Sequence, residues 1–361
     1  MRREIWVVLI TLMMLIVIDL GVFATLRYAP QSLVQFFEYG RSVPGKLARW
    51  SEDSSARDSL LDAAWRDGML AQSARDFEAE VSHAPTVRNY GMSFTSDILD
   101  AAVRRSLPHY DNHSGPAAPP NFTFATFLDD RPNRREGDVV VLGILSSSVH
   151  ALGAFSNRTW VFEQPAPFTY PIFLPDESGD DLLRLDPDFV SLEAEESATW
   201  RDRKAWQEKL AEYDRLYTHA AFAWPVLDNS PFVRLIRRAL ATQAIARKKQ
   251  RILAYPEEGD LPYAVILRRM ISEFAAMARQ DGQFPIVILV QSQEAGDPDL
   301  NGLLGATLRE EGVAYLANAD WHDPRDLRGF VSDGHYTTEA NDLFAKALLR
   351  LMRGNRLVMT Q

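Results

Sequence analysis

The sequence contains no cysteine among its 361 residues. Without thiols the chain cannot form disulfides, thiolate metal sites or cysteine nucleophiles, so nucleophilic chemistry must come from other side chains. The absence is neutral with regard to compartment, because a large domain can fold in an oxidising space without any disulfide. Histidine is scarce as well, with seven in the chain.

The sequence is also short of positive charge, with a formal net charge of −10. A nucleic-acid partner is therefore not expected, because binding to phosphates requires a clustered basic surface. One basic run extends from Arg237 to Arg251, and we interpret it as the solvated face of an amphipathic helix. A hydrophobic content of 46% with 24% charged residues is typical of a globular protein with a substantial core.

The longest apolar run fills residues 5–26, is broken only by Asp19 and follows two arginines. As a helix this run is roughly 30 Å long, enough to cross a bilayer. The arginines should remain cytoplasmic, which places the rest of the chain on the outer side of the membrane. We predict that residues 1–27 form an uncleaved single-pass anchor. A cleavable signal peptide ending near residues 22–24 is the alternative, and either reading exports the soluble part to the periplasm or cell surface.

The rest of the chain divides into a linker and one α/β domain. Residues 28–84 are predicted to be a juxtamembrane linker with a helix at about 55–80. In residues 85–361, apolar runs such as "DVVVLGIL" and "FPIVILV" alternate with helical patterns, which predicts a mainly parallel sheet. Residues 157–280 are predicted to be an insertion that is irregular at first and contains three long helical patterns after about residue 197.

The stretch "YGMSFTSD" places Ser93 after a predicted strand and before a helix for which Ser96 is the predicted N-cap. Gly91 would let the backbone turn sharply there. Ligands of parallel sheets bind at the carboxyl ends of strands, where a serine can expose its hydroxyl beside the N–H groups of a helix start. The alternative is that Ser93 is only a cap or turn residue.

The stretch "SDGHYTT" places Asp333 two residues before His335, on a loop that leads into the last helix. A serine hydroxyl becomes a nucleophile when a base accepts its proton, and the base must be oriented by a third group. Taken alone, His335 could cap the helix and Asp333 could be a turn residue. Together with Ser93, the pair completes a catalytic set, so we expect the two loops to converge at one edge of the sheet.

The motifs "YGMSFTSDI" and "DGHYTTEANDLFAKAL" resemble the first and last blocks of the SGNH (GDSL-type) hydrolase superfamily, over roughly residues 85–150 and 284–355. The resemblance implies a flavodoxin-like three-layer α/β/α fold. It also implies that Ser93 is the nucleophile, that His335 is the general base and then acid, and that Asp333 orients the imidazole. No cofactor or metal is implied.

The resemblance further implies an oxyanion hole made by the N–H groups of Ser93 and Gly115. The chain departs from the family at Met92, where an aspartate is usual, and after the strand "VVVLG", where an asparagine is expected and serines stand instead. Ser146, or one of the two serines that follow it, could donate a hydrogen bond in its place. Losing one such donor costs on the order of 100- to 1000-fold in rate, so this departure bears on activity. The separation of two between Asp333 and His335 is shorter than in many members.

The evidence for a functional role is weaker for other polar and aromatic residues. His109 and His113 flank Asp111 and could be metal ligands, although the proline and glycine around them argue against a common helix face. His150 is expected to pack beside the site. The aromatic residues of the insertion are expected to pack internally, with the alternative that some line a glycan cleft; they are Trp160, Phe162, Phe168, Tyr170 and Phe173.

The sequence therefore predicts an exported, membrane-anchored serine esterase or O-acyltransferase. Its partners would be the membrane and a carbohydrate polymer or small molecule that carries acyl esters, most simply acetyl. Topology and family analogy carry this choice of substrate, and no single residue does. The alternative is a non-catalytic SGNH-fold module that binds glycan or assembles with an envelope complex.

Overall fold

The computed structural model describes residues 2–28, 65–79, 84–160, 168–176, 181–222, 229–293, 296–331 and 334–355. The strands within these ranges are β1 (Val87–Tyr90), β2 (Tyr110–Asn112), β3 (Val139–Leu145), β4 (Ile172–Pro175), β5 (Leu182–Leu185), β6 (Phe284–Val290) and β7 (Ala314–Ala317). The helices are α1 (Arg2–Arg27), α2 (Arg66–Ala79), α3 (Ser93–Val103), α4 (Pro120–Asp129), α5 (Leu192–Ser197), α6 (Trp200–Tyr213), α7 (Pro231–Ala254), α8 (Tyr263–Gln280), α9 (Leu300–Glu310) and α10 (Thr338–Gly354).

The core is a five-stranded parallel sheet with the order β2-β1-β3-β6-β7. Its centre is the pairing of β3 with β6 over seven residues. Alternate residues of these strands belong to two apolar clusters: one contains side chains of α4, α8 and α9, and the other those of α3 and α10. Both faces of the strands are thus covered, which explains why their sequences are continuous apolar runs. The predicted α/β class with a mainly parallel sheet is confirmed.

The middle of the chain contains the three predicted long helices, α6, α7 and α8. The stretch before them is less irregular than the sequence indicated, because β4 and β5 form an antiparallel pair. A third apolar cluster joins this pair to α6 and α7. Helix α8, assigned to the insertion from sequence, instead supplies the sheet's own core with side chains that include Ile271 and Phe274.

Two local predictions were wrong. Helix α3 begins at Ser93 with Met92 as its N-cap residue, so Ser96 lies inside the helix. The basic run is not a purely solvated face, because Arg237 and Arg238 are each only 5% exposed and Arg237 donates a hydrogen bond to the carbonyl of Ala220 at 2.9 Å.

Helix α1 is long and apolar enough to cross a membrane, over Arg3–Thr25, and the protein buries none of that window. This agrees with the predicted membrane anchor. In the predicted linker, the described helix is α2; the first part of the helix predicted at about 55–80 lies outside the described residues.

Candidate active site

Ser93 is the first residue of α3 and follows β1 after a two-residue turn. The turn is held by Thr95, whose hydroxyl donates to the Met92 carbonyl at 2.8 Å and accepts from the Met92 N–H at 3.1 Å. Gly91 is required here for space, because a Cβ would lie 2.0 Å from the Thr95 hydroxyl oxygen. Its φ is not positive, so the reason is close packing rather than the sharp backbone turn expected from sequence. Gly143 of β3 is needed for the same reason, since its Cβ would lie 3.1 Å from the Gly91 Cα.

His335 is held by a tight turn before α10. The N–H of Val331 donates to the His335 carbonyl at 2.8 Å, and the N–H of Gly334 donates to the Val331 carbonyl at 3.0 Å. Gly334 has a φ of +90°, in the region that favours glycine. Phe330 and Tyr336 close the turn as an isolated antiparallel bridge. The glycine before the histidine thus serves the local fold that aims the imidazole.

The two loops converge as the sequence predicted: Ser93 Oγ lies 2.7 Å from Nε2 of His335. The Phe94 ring stacks on the imidazole with a centroid distance of 4.7 Å and an interplanar angle of 20°. Ser93 and His335 are both half-buried, whereas the Nδ1 atom of the imidazole is buried. Asp333, predicted to orient this ring, lies outside the described residues, so its role stays a prediction.

The three predicted oxyanion donors differ in their surroundings. The Ser93 N–H lies in the first turn of α3, where N–H groups have no partner within the helix and the helix dipole is positive. The Gly115 N–H donates to the Gly91 carbonyl at 3.2 Å, in a bridge that pairs Met92 with Gly115. It is therefore committed to holding the serine loop, and this contact does not support the predicted oxyanion role of Gly115.

Ser146 follows β3 and is fully buried. Its hydroxyl donates to Oδ2 of Asp297 at 3.3 Å and accepts the N–H of Ser292 at 2.9 Å. The Ser292 hydroxyl donates to the same carboxylate oxygen at 2.6 Å, and Lys249 Nζ lies 3.8 Å from the other oxygen. These contacts tie β3 to the loop after β6, so they do not support Ser146 as an oxyanion donor either. Of the two serines that follow, Ser148 donates to the Leu145 carbonyl at 3.1 Å.

Two contacts that support His335 were missed by sequence reasoning. Phe94 stacks on its ring, and the Tyr336 hydroxyl donates to the carbonyl of Gln291 at the end of β6. Burial raises the pKa of Tyr336, so its hydroxyl remains a donor. Their positions in the sequence could have indicated these contacts, because Phe94 directly follows Ser93 and Tyr336 directly follows His335.

The three other histidines considered in the sequence analysis lie in different environments. His109 has a side chain 76% exposed, whereas His113 is buried and stacks on the Tyr90 ring with a centroid distance of 5.2 Å. Within the described ranges, no group of three or more His, Asp or Glu side chains could hold a metal ion. His150 is buried and edge-on to Trp160, and burial, aided by Lys249, lowers its pKa to about 3. As predicted, it is a packing residue.

The aromatic residues of the insertion are also mostly packing residues. Phe168, Tyr170 and Phe173 are buried, and the Trp160 indole N–H donates to the Tyr170 hydroxyl at 2.6 Å. Phe162 lies outside the described residues. The described members therefore do not offer their ring faces as an open glycan cleft, with the half-buried Trp160 as the most accessible.

A polar cleft of about 450 Å³ opens beside His335 between α3 and α10. Its size is in the range of small-molecule sites. Its charged groups include Asp97 and Asp100 of α3 and Arg104, the C-cap residue of that helix. The lining includes His335 but not Ser93. A hydroxyl in contact with an imidazole at a helix start supplies the nucleophile and the base that acyl transfer uses. Comparison with protein-family models, with curated proteins and with solved structures found no match to this chain.

Proposed function

We propose that this chain is a membrane-anchored, exported serine esterase or O-acyltransferase of the SGNH type. The observation that carries the proposal is the 2.7 Å contact between Ser93 Oγ and His335 Nε2. A hydroxyl at a helix start also occurs as a simple cap, but a cap bonds to the backbone N–H groups of its own helix. The Ser93 hydroxyl instead contacts an imidazole 242 positions away.

In the proposed reaction, His335 Nε2 accepts the Ser93 proton while Ser93 Oγ attacks the ester carbonyl carbon. The tetrahedral oxyanion is stabilised by the N–H groups at the start of α3, with Ser93 itself as one donor. The imidazolium then protonates the leaving alcohol, which leaves an acyl-enzyme. Water or a sugar hydroxyl, deprotonated by His335, then attacks this acyl group. The bond between the acyl carbon and Ser93 Oγ breaks, and His335 returns the proton to Oγ. Asp333 is proposed to orient the imidazole.

The family assignment is proposed on two grounds. The five strands of the parallel sheet, counted along the chain, have the order 2-1-3-4-5, which is the flavodoxin-like order. We therefore propose the three-layer flavodoxin-like arrangement for this domain. The second ground is the resemblance of the two motifs around Ser93 and His335. The departure after β3 stands against a high rate, because serines occupy the place of the asparagine that the family uses as an oxyanion donor.

The proposed substrate is an acyl ester, most simply acetyl, on a carbohydrate polymer outside the cell. The apolar helix α1 supports a location at a membrane. The cleft beside His335 carries carboxylates and a guanidinium, which suit a polar, hydroxyl-rich acceptor better than a long acyl chain. This choice of substrate also depends on the proposed family.

Covalent labelling tests the proposal directly. The full chain in detergent is treated with a serine-reactive fluorophosphonate and assayed for hydrolysis of small acetyl esters. We expect one adduct per chain, on Ser93, and its loss together with turnover in Ser93→Ala. Ser96→Ala is the matched control, because Ser96 lies one turn along the same helix and its hydroxyl is 2.8 Å from that of Ser114. Absence of both the adduct and turnover in the folded wild type would exclude catalysis.

The second candidate is a non-catalytic module that binds glycan or an envelope partner. The hydrogen bonds of the Gly115 N–H and the Ser146 hydroxyl favour it, because both predicted donors are committed elsewhere. Under this alternative, acetylated oligosaccharides would bind to the wild type without being turned over. Ser93→Ala would then leave their affinity unchanged, and no adduct would form.

A further inference from the structure

The apolar helix α1 contains one ionisable residue in its interior, Asp19, and this residue contacts the start of α7. The Ser230 hydroxyl donates to Asp19 Oδ1 at 2.6 Å, and the Phe232 N–H donates to the same oxygen at 3.0 Å. Ser230 is the N-cap of α7 and accepts the Val233 N–H at 3.1 Å. Asp19 thus extends the cap of a helix that is 211 positions away in the chain.

The contact resolves two unfavourable features at once. A carboxylate within a bilayer-length apolar helix is costly unless it has a partner. The first N–H groups of α7 lack partners within their helix, and the positive end of its dipole favours an anion. Asp19 therefore lies beside the N-terminus of α7, which is the end of that helix where a negative charge is most favourable.

The position of Asp19 along α1 sets the depth of the contact. Thr25, where the apolar window ends, is six positions after Asp19, and at 1.5 Å per residue this is about 9 Å. Interfacial helices bury their apolar faces roughly 5–10 Å into the boundary between headgroups and acyl chains. The start of α7 is thus at the depth of an interfacial helix.

The first turns of α7 have side chains that fit this depth. They begin with "PFVRLI", and the exposed large apolar residues are Ile236, the last of this stretch, which is 43% exposed, and Leu240, which is 49% exposed. These two residues are four apart, so they lie on one face of the helix. Bilayer is the environment that the adjacent α1 already requires, and it would cover this face without a further protein.

We propose that α1 remains attached as an anchor and that Asp19 fastens the start of α7 to it, with Ile236 and Leu240 in the outer leaflet of a lipid bilayer. The other end of α7 reaches the sheet through Lys249, 3.8 Å from Asp297. The 19 residues from Ser230 to Lys249 correspond to about 28 Å of helix. Helix α7 therefore connects the membrane to the carboxyl edge of the sheet, independently of the chemistry at Ser93.

Disulfide trapping tests the contact, because the chain has no cysteine of its own. In proteoliposomes, the pair Asp19→Cys and Ser230→Cys should form a disulfide-linked peptide upon mild oxidation. The control pair, Leu12→Cys and Ser230→Cys, moves the first thiol two turns along the same face of α1, about 10 Å deeper, and should not cross-link. Equal cross-linking of both pairs, cross-linking of neither, or an intact mass that lacks α1 would overturn the proposal.

Fluorescence quenching tests the lipid contact. A nitrobenzoxadiazole label at Ile236→Cys should be quenched by spin-labelled lipid, several-fold more than a label at Gln250→Cys, which lies on the same helix four turns further on. Asp19→Leu is then introduced into the protein labelled at position 236. The substitution makes α1 more apolar, so the anchor persists. Because it removes the contact with the start of α7, it should abolish the quenching at position 236. Equal quenching at the two positions would contradict the lipid contact. Quenching at position 236 that survives Asp19→Leu would contradict the role of Asp19.

Discussion

The ring of Phe94 stacks on the imidazole of His335, with planes 20° apart and centroids separated by 4.7 Å. The same phenyl ring meets Tyr336 edge-on at 5.9 Å. Because Phe94 directly follows Ser93, one turn of α3 carries both the hydroxyl that the imidazole contacts and the surface against which the imidazole rests. The orientation of His335 is thus coupled to the start of α3.

Truncation of that surface should lower activity without unfolding the protein. In Phe94→Ala we expect kcat to fall on the order of 10- to 100-fold, because the imidazole can rotate away from Ser93. Val103→Ala, at an exposed position of the same helix, should leave kcat unchanged. Measurement of both ester hydrolysis and the thermal unfolding midpoint separates a loss of activity from a loss of stability. Wild-type kcat in Phe94→Ala would show that the stacking has no positioning role.

Substitution of His335, the proposed base, should have the largest effect on activity. We expect His335→Gln to lower kcat by on the order of 10⁴-fold or more with KM little changed, because the proton transfer is made in the transition state. Fluorophosphonate labelling of Ser93 should slow in parallel. His109→Gln, at an exposed histidine, is the control. Similar rates in both variants would contradict a catalytic role for His335.

The turn before the imidazole should depend on glycine at position 334. Gly334→Ala should destabilise the fold by about 1–2 kcal/mol, because the left-handed region is unfavourable for a residue with a Cβ. Space is not the reason, since that Cβ would lie 3.4 Å from its nearest neighbour, Nε2 of Gln293. Activity should fall with stability, and Gly334→Asn should retain more of both, because asparagine tolerates this region.

The matched control is Gly354→Ala. This glycine ends α10, has no positive φ, and would place its Cβ in open space. Urea unfolding of both variants provides the comparison. Equal midpoints for Gly334→Ala and Gly354→Ala would show that the strained turn does not matter.

A buried charge pair should be important for stability at the start of the sheet. Asp138 is fully buried and accepts hydrogen bonds from Arg88 Nε at 3.0 Å and from the N–H groups of Thr86 at 3.0 Å and Arg135 at 2.9 Å. Asp138→Ala should cost about 3–5 kcal/mol, because it leaves a buried guanidinium without this partner. Asp323→Ala removes exposed contacts with the guanidinium and the backbone N–H of Arg325 and should not change the urea midpoint measurably.

Acid should weaken the fold through His150. Its folded pKa of about 3 is below the ordinary 6.5 because burial disfavours the charged ring. The unfolded chain therefore gains a proton first as pH falls, and stability is lost from pH 6.5 down to about 3, by up to about 1.4 kcal/mol per pH unit. His150→Leu should lose this dependence, as measured by urea unfolding from pH 7 to 4.

Asp214 changes the stability in the opposite direction as pH falls. The effect of His150 must therefore be obtained by comparing the wild type with His150→Leu. Burial raises its pKa from 3.8 to about 6, so its contribution to stability is present at low pH and is lost as pH rises through about 6. Both proteins in the comparison keep Asp214, so the difference between their curves reports His150. Parallel curves for the wild type and His150→Leu would contradict the prediction.

The sequence predicted the elements whose patterns are strong. The apolar runs of β3 and β6, the three long helices and the convergence of Ser93 with His335 follow from burial on both faces and from the common edge of parallel strands. Ser96 was predicted as the cap because capping preference is local. The actual start of α3 is fixed by the hydrogen bond between Thr95 and Met92 and by the close packing of Gly143 against Gly91. The local sequence pattern does not reveal either contact.

Other features depend on distant partners and have no local signal. Strand β2 is three residues long and is defined by its pairing with β1. The commitment of Ser146 follows from a carboxylate in another loop, and the contact of Asp19 with Ser230 joins residues 211 positions apart. Composition favoured solvent exposure for Arg237 and Arg238, whereas tertiary packing buried them.

Ser93 and His335 are 242 positions apart, so the two side chains can meet only when the chain between them is complete. A nascent chain that has emerged as far as β6 contains Ser93 but not His335. Any chemistry that this pair performs therefore requires the final helix to have been synthesised.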